Sequence, residues 1–188
     1  MVGVAARTGL MDSPLIVTVV GAESVGKTTL ARVLSERFVA PLVPEVARDY
    51  LAGRVGYHPR DLLEIARRQR EVEERTIARG GRLVIADTDL VVVAIWWQTK
   101  YGRLSGALTN ELGKGLRGDR RYLVPRPDIP WEPDPLRENP FDRDALHARY
   151  LEFLRRRELE FLEIAGGFEA RLDAAMKAVG SWLSTRGN

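Results

Sequence analysis

From Leu15 to Val20 the chain reads LIVTVV, a nearly unbroken apolar run of the kind a strand shows when both of its faces are covered. The spacing then turns helical: Leu30, Val33, Leu34 and Phe38 fall on one stripe of a helix over about 27–38. PLVPEVARDYL predicts a short strand ending near Pro44, with Glu45, Arg48 and Asp49 just beyond its carboxyl end. Over 59–79, Leu62, Ile65, Ala66, Gln69 and Val72 recur at helical spacing among interleaved charges that belong to a solvated face. RLVIADTDL predicts a buried strand over 82–86 that finishes in Asp87, Thr88 and Asp89, and VVVAIWWQTKY predicts a helix beside it, with Trp96 and Trp97 in the core. A strand over 121–125, a helix over 142–158, a short strand at EFLEIAG and a helix over 168–184 complete the pattern. Strands and helices alternating at this rhythm predict an α/β fold of three layers, with a parallel sheet of about five strands and helices on both faces.

Between the first strand and its helix stands GAESVGKT, which satisfies G-x-x-x-x-G-K-[ST] at Gly21, Gly26, Lys27 and Thr28. The spacing lets backbone N–H groups curl around a polyphosphate while the helix points its positive end at the anion. Lys27 is expected to reach the β and γ phosphates of ATP, and Thr28 to offer its hydroxyl to Mg²⁺. Glu23, Ser24, Val25 and Thr29 complete the expected nucleotide-binding set. The three-layer fold is therefore expected to be of the P-loop NTPase and kinase type, although the loop alone does not separate a switch, a motor and a kinase.

Composition narrows the class without choosing the chemistry. At 45% hydrophobic and 29% charged the chain has an ordinary globular balance, and no apolar run approaches a membrane helix. A net charge of +3 suits an anionic ligand but argues for no nucleic-acid partner. The absence of cysteine removes disulfides and thiolate metal sites and agrees with a cytoplasmic location. MVGVAARTGLMDS has no sustained apolar stretch, so residues 1–13 read as a loose tail, with Met11 an alternative start, ahead of a single domain over 14–188. Composition is silent on the oligomeric state.

Several polar residues gather at strand ends, where ligands of such sheets sit. Asp87 has the position of a carboxylate that holds Mg²⁺, and it and Asp89 equally suit helix capping. Glu45 is placed as a sugar-hydroxyl acceptor or general base, with Arg48 one helical turn on; an exposed ion pair at that spacing is the alternative. PRPDIPWEPDPLRENP, residues 125–140, reads as an extended loop, with 126–140 a lid. In it Trp131 is either a stacking platform for a flat cationic base or a hydrophobic anchor. Asp128 or Asp134 would add charge attraction, and Arg137 would reach the transferring phosphoryl group. His58 and His147 lack a second ligand nearby in sequence, and RRR at 155–157 reads as a solvated helix face.

GAESVGKTTLARVL, VPEVARDYL, IADTDLVVVAIWWQTKYG and YLVPRPDIPWEPDPLRENP together resemble the kinase domain of NadR-type proteins, the ribosylnicotinamide kinase family, also labelled an AAA-type ATPase domain. The likeness runs from about Leu15 to the last helix, and D-I-P-W-x-x-D-x-x-R is its most specific part. It implies a P-loop kinase that moves the ATP γ-phosphate to the 5'-hydroxyl of nicotinamide riboside, a step of NAD biosynthesis. By that resemblance Lys27 and Thr28 handle phosphate and Mg²⁺, and Glu45, Asp87 and Asp89 face ribose and metal. Trp131 stacks on the pyridine ring, Asp134 holds it and Arg137 belongs to the lid. Family members read approximately W-V-D-D-G-L-R where this chain has WEPDPLR, which predicts a stiffer loop and an open question over substrate preference. The adenylyltransferase and DNA-binding domains of the multidomain members are not in the sequence, so neither activity is expected. The rival reading is a nucleotide-dependent switch or binding module; against it, VPRPD stands near the fourth strand in place of a guanine-recognising N-K-x-D.

Overall fold

The structure, a computed structural model, describes residues 13–132 and 142–186. The chain runs β1 (Leu15–Val19), α1 (Lys27–Phe38), β2 (Leu42–Val43), α2 (Val46–Leu51), α3 (Pro59–Ile77) and β3 (Leu83–Asp87). It continues through α4 (Leu90–Tyr101), α5 (Gly106–Gly115), β4 (Asp119–Pro125), α6 (Arg143–Arg156), β5 (Glu160–Ile164) and α7 (Phe168–Thr185). The strands form one sheet in the order β2-β3-β1-β4-β5, and every pairing is parallel. The predicted five-stranded, three-layer arrangement is thus the observed one.

Alternation along β1 divides the interior. Leu15, Val17 and Val19 turn toward α1 and α7, packing with Leu30, Leu34, Leu172, Ala175 and Val179. Ile16 turns to the other face with Val43, Val84 and Ala86, where Val72 and Ile77 of α3 cover it. Val20 continues that side into the larger core built from α3, α4, α5 and α6. Because both faces are covered, all of β1 and β3 is buried, which explains why their sequences carry no polar alternation. Leu90–Ile95 of α4 is buried on every side, so its run of valines has no solvent face.

Two helices were not predicted. α2 is short, and α5 hides behind Gly106, Gly113 and Gly115, residues that lower helix propensity. A cap overrides that preference, since the Ser105 Oγ accepts the Leu108 N–H at 3.2 Å. Gly115 is required by packing: a Cβ there would lie 2.7 Å from a methyl of Leu90. The arginines at 155–157 are exposed as expected, with Arg155 over Phe161 and Arg157 over Phe153.

Candidate active site

The parallel register places β1 and β3 side by side, with Val19 opposite Asp87, so the phosphate loop and the end of β3 emerge together. The loop is closed by its own lysine: the Lys27 Nζ donates to the carbonyls of Gly21 at 3.1 Å and Ala22 at 2.7 Å. Ser24 at φ 54° and Gly26 at φ 78° hold left-handed conformations on either side of Val25, the second favoured by glycine and the first a local strain of the kind found at ligand clamps.

Around the loop lies a cleft of about 380 Å³, lined by Gly21, Glu23, Ser24, Val25, Gly26, Lys27, Thr28 and Thr29, the whole expected nucleotide-binding set. Its far wall brings in Glu45, Arg48, Val92 and Trp96, and its rim Ile129, Pro130, Glu132 and Phe168. Glu45 is set by a side chain no local pattern identifies. Buried Gln69 of α3 donates to the Pro44 carbonyl at 3.1 Å and accepts the Val46 N–H at 2.9 Å, gripping the backbone on both sides of Glu45. Arg48 stands 3.6 Å from the Glu45 carboxylate, so this pair is both the ion pair of a helix turn and part of the cleft wall.

Asp87 is buried at the end of β3, beside the first turn of α1 that carries Thr28. Burial pushes its pKa above the usual carboxylate range, with Thr28, Lys27 and Arg48 pulling the other way. Its Oδ1 has no partner among the described residues. A hydroxyl and an orphaned carboxylate oxygen at the foot of a phosphate loop are hard oxygen donors that fit Mg²⁺, which would draw its remaining ligands from phosphates and water. No cluster of three or more His, Cys, Asp and Glu among the described residues offers another site.

Asp89 is occupied otherwise. Its Oδ1 caps α4 by accepting the Val91 N–H at 2.8 Å, and its Oδ2 accepts the Tyr122 hydroxyl at 2.9 Å with Arg120 at 3.5 Å. The side chain is 1% exposed and lies outside the cleft lining.

Trp131 is half-buried, with the Arg143 guanidinium 6.0 Å from its ring centroid, and the cleft is lined by its neighbours Ile129, Pro130 and Glu132. Asp134 and Arg137 lie outside the described residues. Asp128 is already bound, to Arg171 and, at 2.7 Å, to the Gly166 N–H, which corrects its expected availability to a cationic ring. Of the two tryptophans expected in the core, Trp97 is there, its Nε1 donating to the Arg103 carbonyl, but Trp96 reaches the cleft and stacks on Tyr57 at 6.0 Å between centroids. The i,i+4 spacing of Val92 and Trp96 could have shown their shared direction; an apolar run on all sides masked it. Nothing in sequence pointed to Phe168, Arg143 or Arg171; the last two reach the Ser24 and Val25 carbonyls of the phosphate loop, 119 and 146 residues away.

A model of the AAA domain family matches residues 16–171. The chain belongs to that family. Among solved structures this AAA domain is similar to the NadR protein in complex with NR, at 23% identity over 92% of this chain and a TM-score of 0.76. It is also similar to NadR in complex with NAD and AMP-PNP, at 22% identity, 92% coverage and a TM-score of 0.73. The chain spans 52% and 50% of those two NadR chains. Thymidylate kinase from Ehrlichia chaffeensis superposes with a TM-score of 0.66 at 12% identity, over 90% of this chain and 99% of its own. These likenesses establish the fold, a parallel five-stranded sheet with helices on both faces that the chain shares with NadR and a thymidylate kinase, in keeping with the resemblance read from the motifs. No curated protein matches the chain, and among the described residues no helix is long and apolar enough to cross a membrane.

Proposed function

We propose that this AAA domain is a cytoplasmic nucleoside kinase that transfers the γ-phosphate of ATP to the 5'-hydroxyl of nicotinamide riboside, giving nicotinamide mononucleotide. The observation that carries the reading is the continuity of one cleft, whose lining joins the phosphate loop to Glu45, Arg48 and Trp96. A switch needs only the first half. A kinase needs a base, a cation and an apolar wall facing the γ-phosphate end of the loop. The two NadR structures, one holding NR, nicotinamide riboside, and one holding NAD with AMP-PNP, support that choice of acceptor.

In this scheme Lys27 exchanges its two carbonyl partners for phosphate oxygens, and the loop N–H groups hold the chain of phosphates. Thr28 and Asp87 would hold Mg²⁺, which when bound neutralises charge on the phosphates. Glu45 accepts the proton of the acceptor hydroxyl, whose oxygen bonds to the γ-phosphorus as the bond to the β–γ bridging oxygen breaks and ADP leaves. Arg48 stands 3.6 Å from the Glu45 carboxylate and adds positive charge beside it. Trp96, Phe168 and, at the lid, Trp131, Asp134 and Arg137 are assigned to ring and phosphoryl contacts.

The test is transfer from γ-labelled ATP with Mg²⁺ to a panel of nucleosides, with products separated. Nicotinamide mononucleotide forming well above acceptor-free hydrolysis is expected. Nucleotide binding with no nucleoside phosphorylated would overturn the kinase reading in favour of a switch.

A further inference from the structure

We infer that Arg171 is a positioning residue of the nucleotide site: it orients one peptide of the phosphate loop and locks that loop to the opposite rim of the cleft. The inference rests on the reading of the loop as a nucleotide site and not on the identity of the acceptor.

Arg171 lies in the first turn of α7, 3% exposed, with its guanidinium directed inward. Its Nη1 donates to the Val25 carbonyl at 2.6 Å. Its Nη2 donates to the Arg126 carbonyl at 2.7 Å and to the Asp128 carboxylate. Asp128 in turn accepts the Gly166 N–H at 2.7 Å. A single buried cation therefore joins the phosphate loop, the segment after β4 and the turn before α7. The first two contribute to the cleft lining through Val25 and through Ile129 and Pro130, and the third leads directly into Phe168, which lines it too.

The Val25 contact has a direct consequence for anion binding. In a planar trans peptide the C=O and the following N–H point in opposite directions. Fixing the Val25 carbonyl against Arg171 therefore turns the Gly26 N–H the other way. The same pattern runs along the loop: Lys27 holds the carbonyls of Gly21 and Ala22, and Arg143 stands 3.4 Å from that of Ser24. The N–H groups of Val25 and Gly26, which follow the carbonyls held by Arg143 and Arg171, are thereby turned away from those cations, as a nest for an anion requires. Lys27 must leave its carbonyls to bind phosphate, whereas Arg171, behind the loop, need not move. It is the fixed member of the set.

The second hand of the guanidinium couples this nest to the rim. Lysine cannot reproduce it, because one ammonium cannot hold two acceptors in the fixed fork that a guanidinium offers. Two substitutions separate the role from general packing: Arg171→Lys, and Asp128→Asn, which lies on the surface and touches no phosphate-loop atom in any contact seen here. Affinity for a fluorescent ATP analogue with Mg²⁺ is measured on the full chain, with the thermal midpoint of each variant alongside.

Each substitution is expected to weaken the analogue about tenfold, the scale of one charge-assisted hydrogen bond. In the double variant the loss is expected to be about that of Arg171→Lys alone, since Asp128 acts through Arg171. A purely architectural role would lower the midpoint and leave the affinity of the folded chain as it was, and that result overturns the inference. So do losses that simply add. If Arg171→Lys does not fold, Asp128→Asn decides alone: analogue binding within twofold of the parent overturns the proposal. A parent chain that fails to bind the analogue overturns the nucleotide-site reading and this role with it, while binding without transfer to any nucleoside leaves the role standing.

Discussion

The Thr28 side chain favours the charged form of the Asp87 carboxyl, so the first turn of α1 and the carboxyl end of β3 meet at one buried acid. Burial raises the Asp87 pKa, which means the charged form is less at ease in the folded chain than in the unfolded one. The resulting cost is fully present above the folded pKa and vanishes once pH falls below the unfolded value of about 3.9. Asp87→Asn is therefore expected to raise the thermal midpoint of the nucleotide-free chain at neutral pH. That gain should shrink as pH is lowered toward about 4. Turnover should be lost in the same variant. Midpoints of parent and variant measured across pH check the sign; a gain that grows on acidification would contradict it.

Lys27 holds the carbonyls of Gly21 and Ala22. Lys27→Ala removes the charge meant for the transferring group and frees two peptides of the loop. Turnover is expected to fall by about 100-fold or more, the usual scale for losing one preorganised donor at developing charge. Circular dichroism should be unchanged, because the side chain contributes little to either core. Near-normal turnover would remove the phosphate-loop assignment.

Why the loop and the sheet were legible in sequence, and the far wall was not, follows from the range of the interactions. Gly21, Gly26, Lys27 and Thr28 act through a contiguous backbone, and β1 and β3 announce themselves as apolar runs because both faces are covered. Asp87 follows directly from its strand. Gln69, by contrast, sits on the apolar stripe of α3, and only the folded chain shows its amide gripping Pro44 and Val46. Arg171 has a partner 146 residues away, and its nearest others are 43 and 45 residues off, so no local pattern marks it out from other helix arginines. Asp89 shows the converse: a motif position at a strand end can be taken up by a cap and a tyrosine.

Trp96 and Trp131 are expected to separate by measurement. Trp96 lines the cleft with one face stacked on Tyr57, so Trp96→Leu should raise the riboside KM about tenfold, the scale of one aromatic stack, and leave the ATP KM unchanged. Trp131→Ala should abolish transfer while the ATP analogue still binds. Steady-state kinetics with each substrate varied in turn distinguish the two; an equal rise in both KM values for Trp96→Leu would place the indole outside the acceptor half.

Arg120 of β4 ties α3 and α5 to the sheet through buried charge. Its Nη1 donates to Glu73 at 3.1 Å and lies 3.5 Å from Asp89, its Nη2 donates to Glu73 and, at 2.7 Å, to the Gly115 carbonyl, and its Nε donates to the Arg117 carbonyl at 3.2 Å. One guanidinium thus serves two carboxylates, and burial raises the pKa of both Glu73 and Asp89. Burial also opposes the charge of Arg120, but the two carboxylates outweigh it and hold its pKa up. The imbalance predicts unequal costs. Glu73→Gln leaves one cation matched to one anion and should be mild. Arg120→Met leaves two carboxylates buried without their cation and should cost about 3–5 kcal/mol. Its loss should ease at acid pH, because protonation of Glu73 and Asp89 removes the unmatched charge, so the gap to the parent narrows as pH falls through their raised folded pKa values. Urea unfolding of both variants at neutral and mildly acid pH tests this; equal costs, or a gap that widens on acidification, would mean that packing rather than charge holds α3 and α5 against β4.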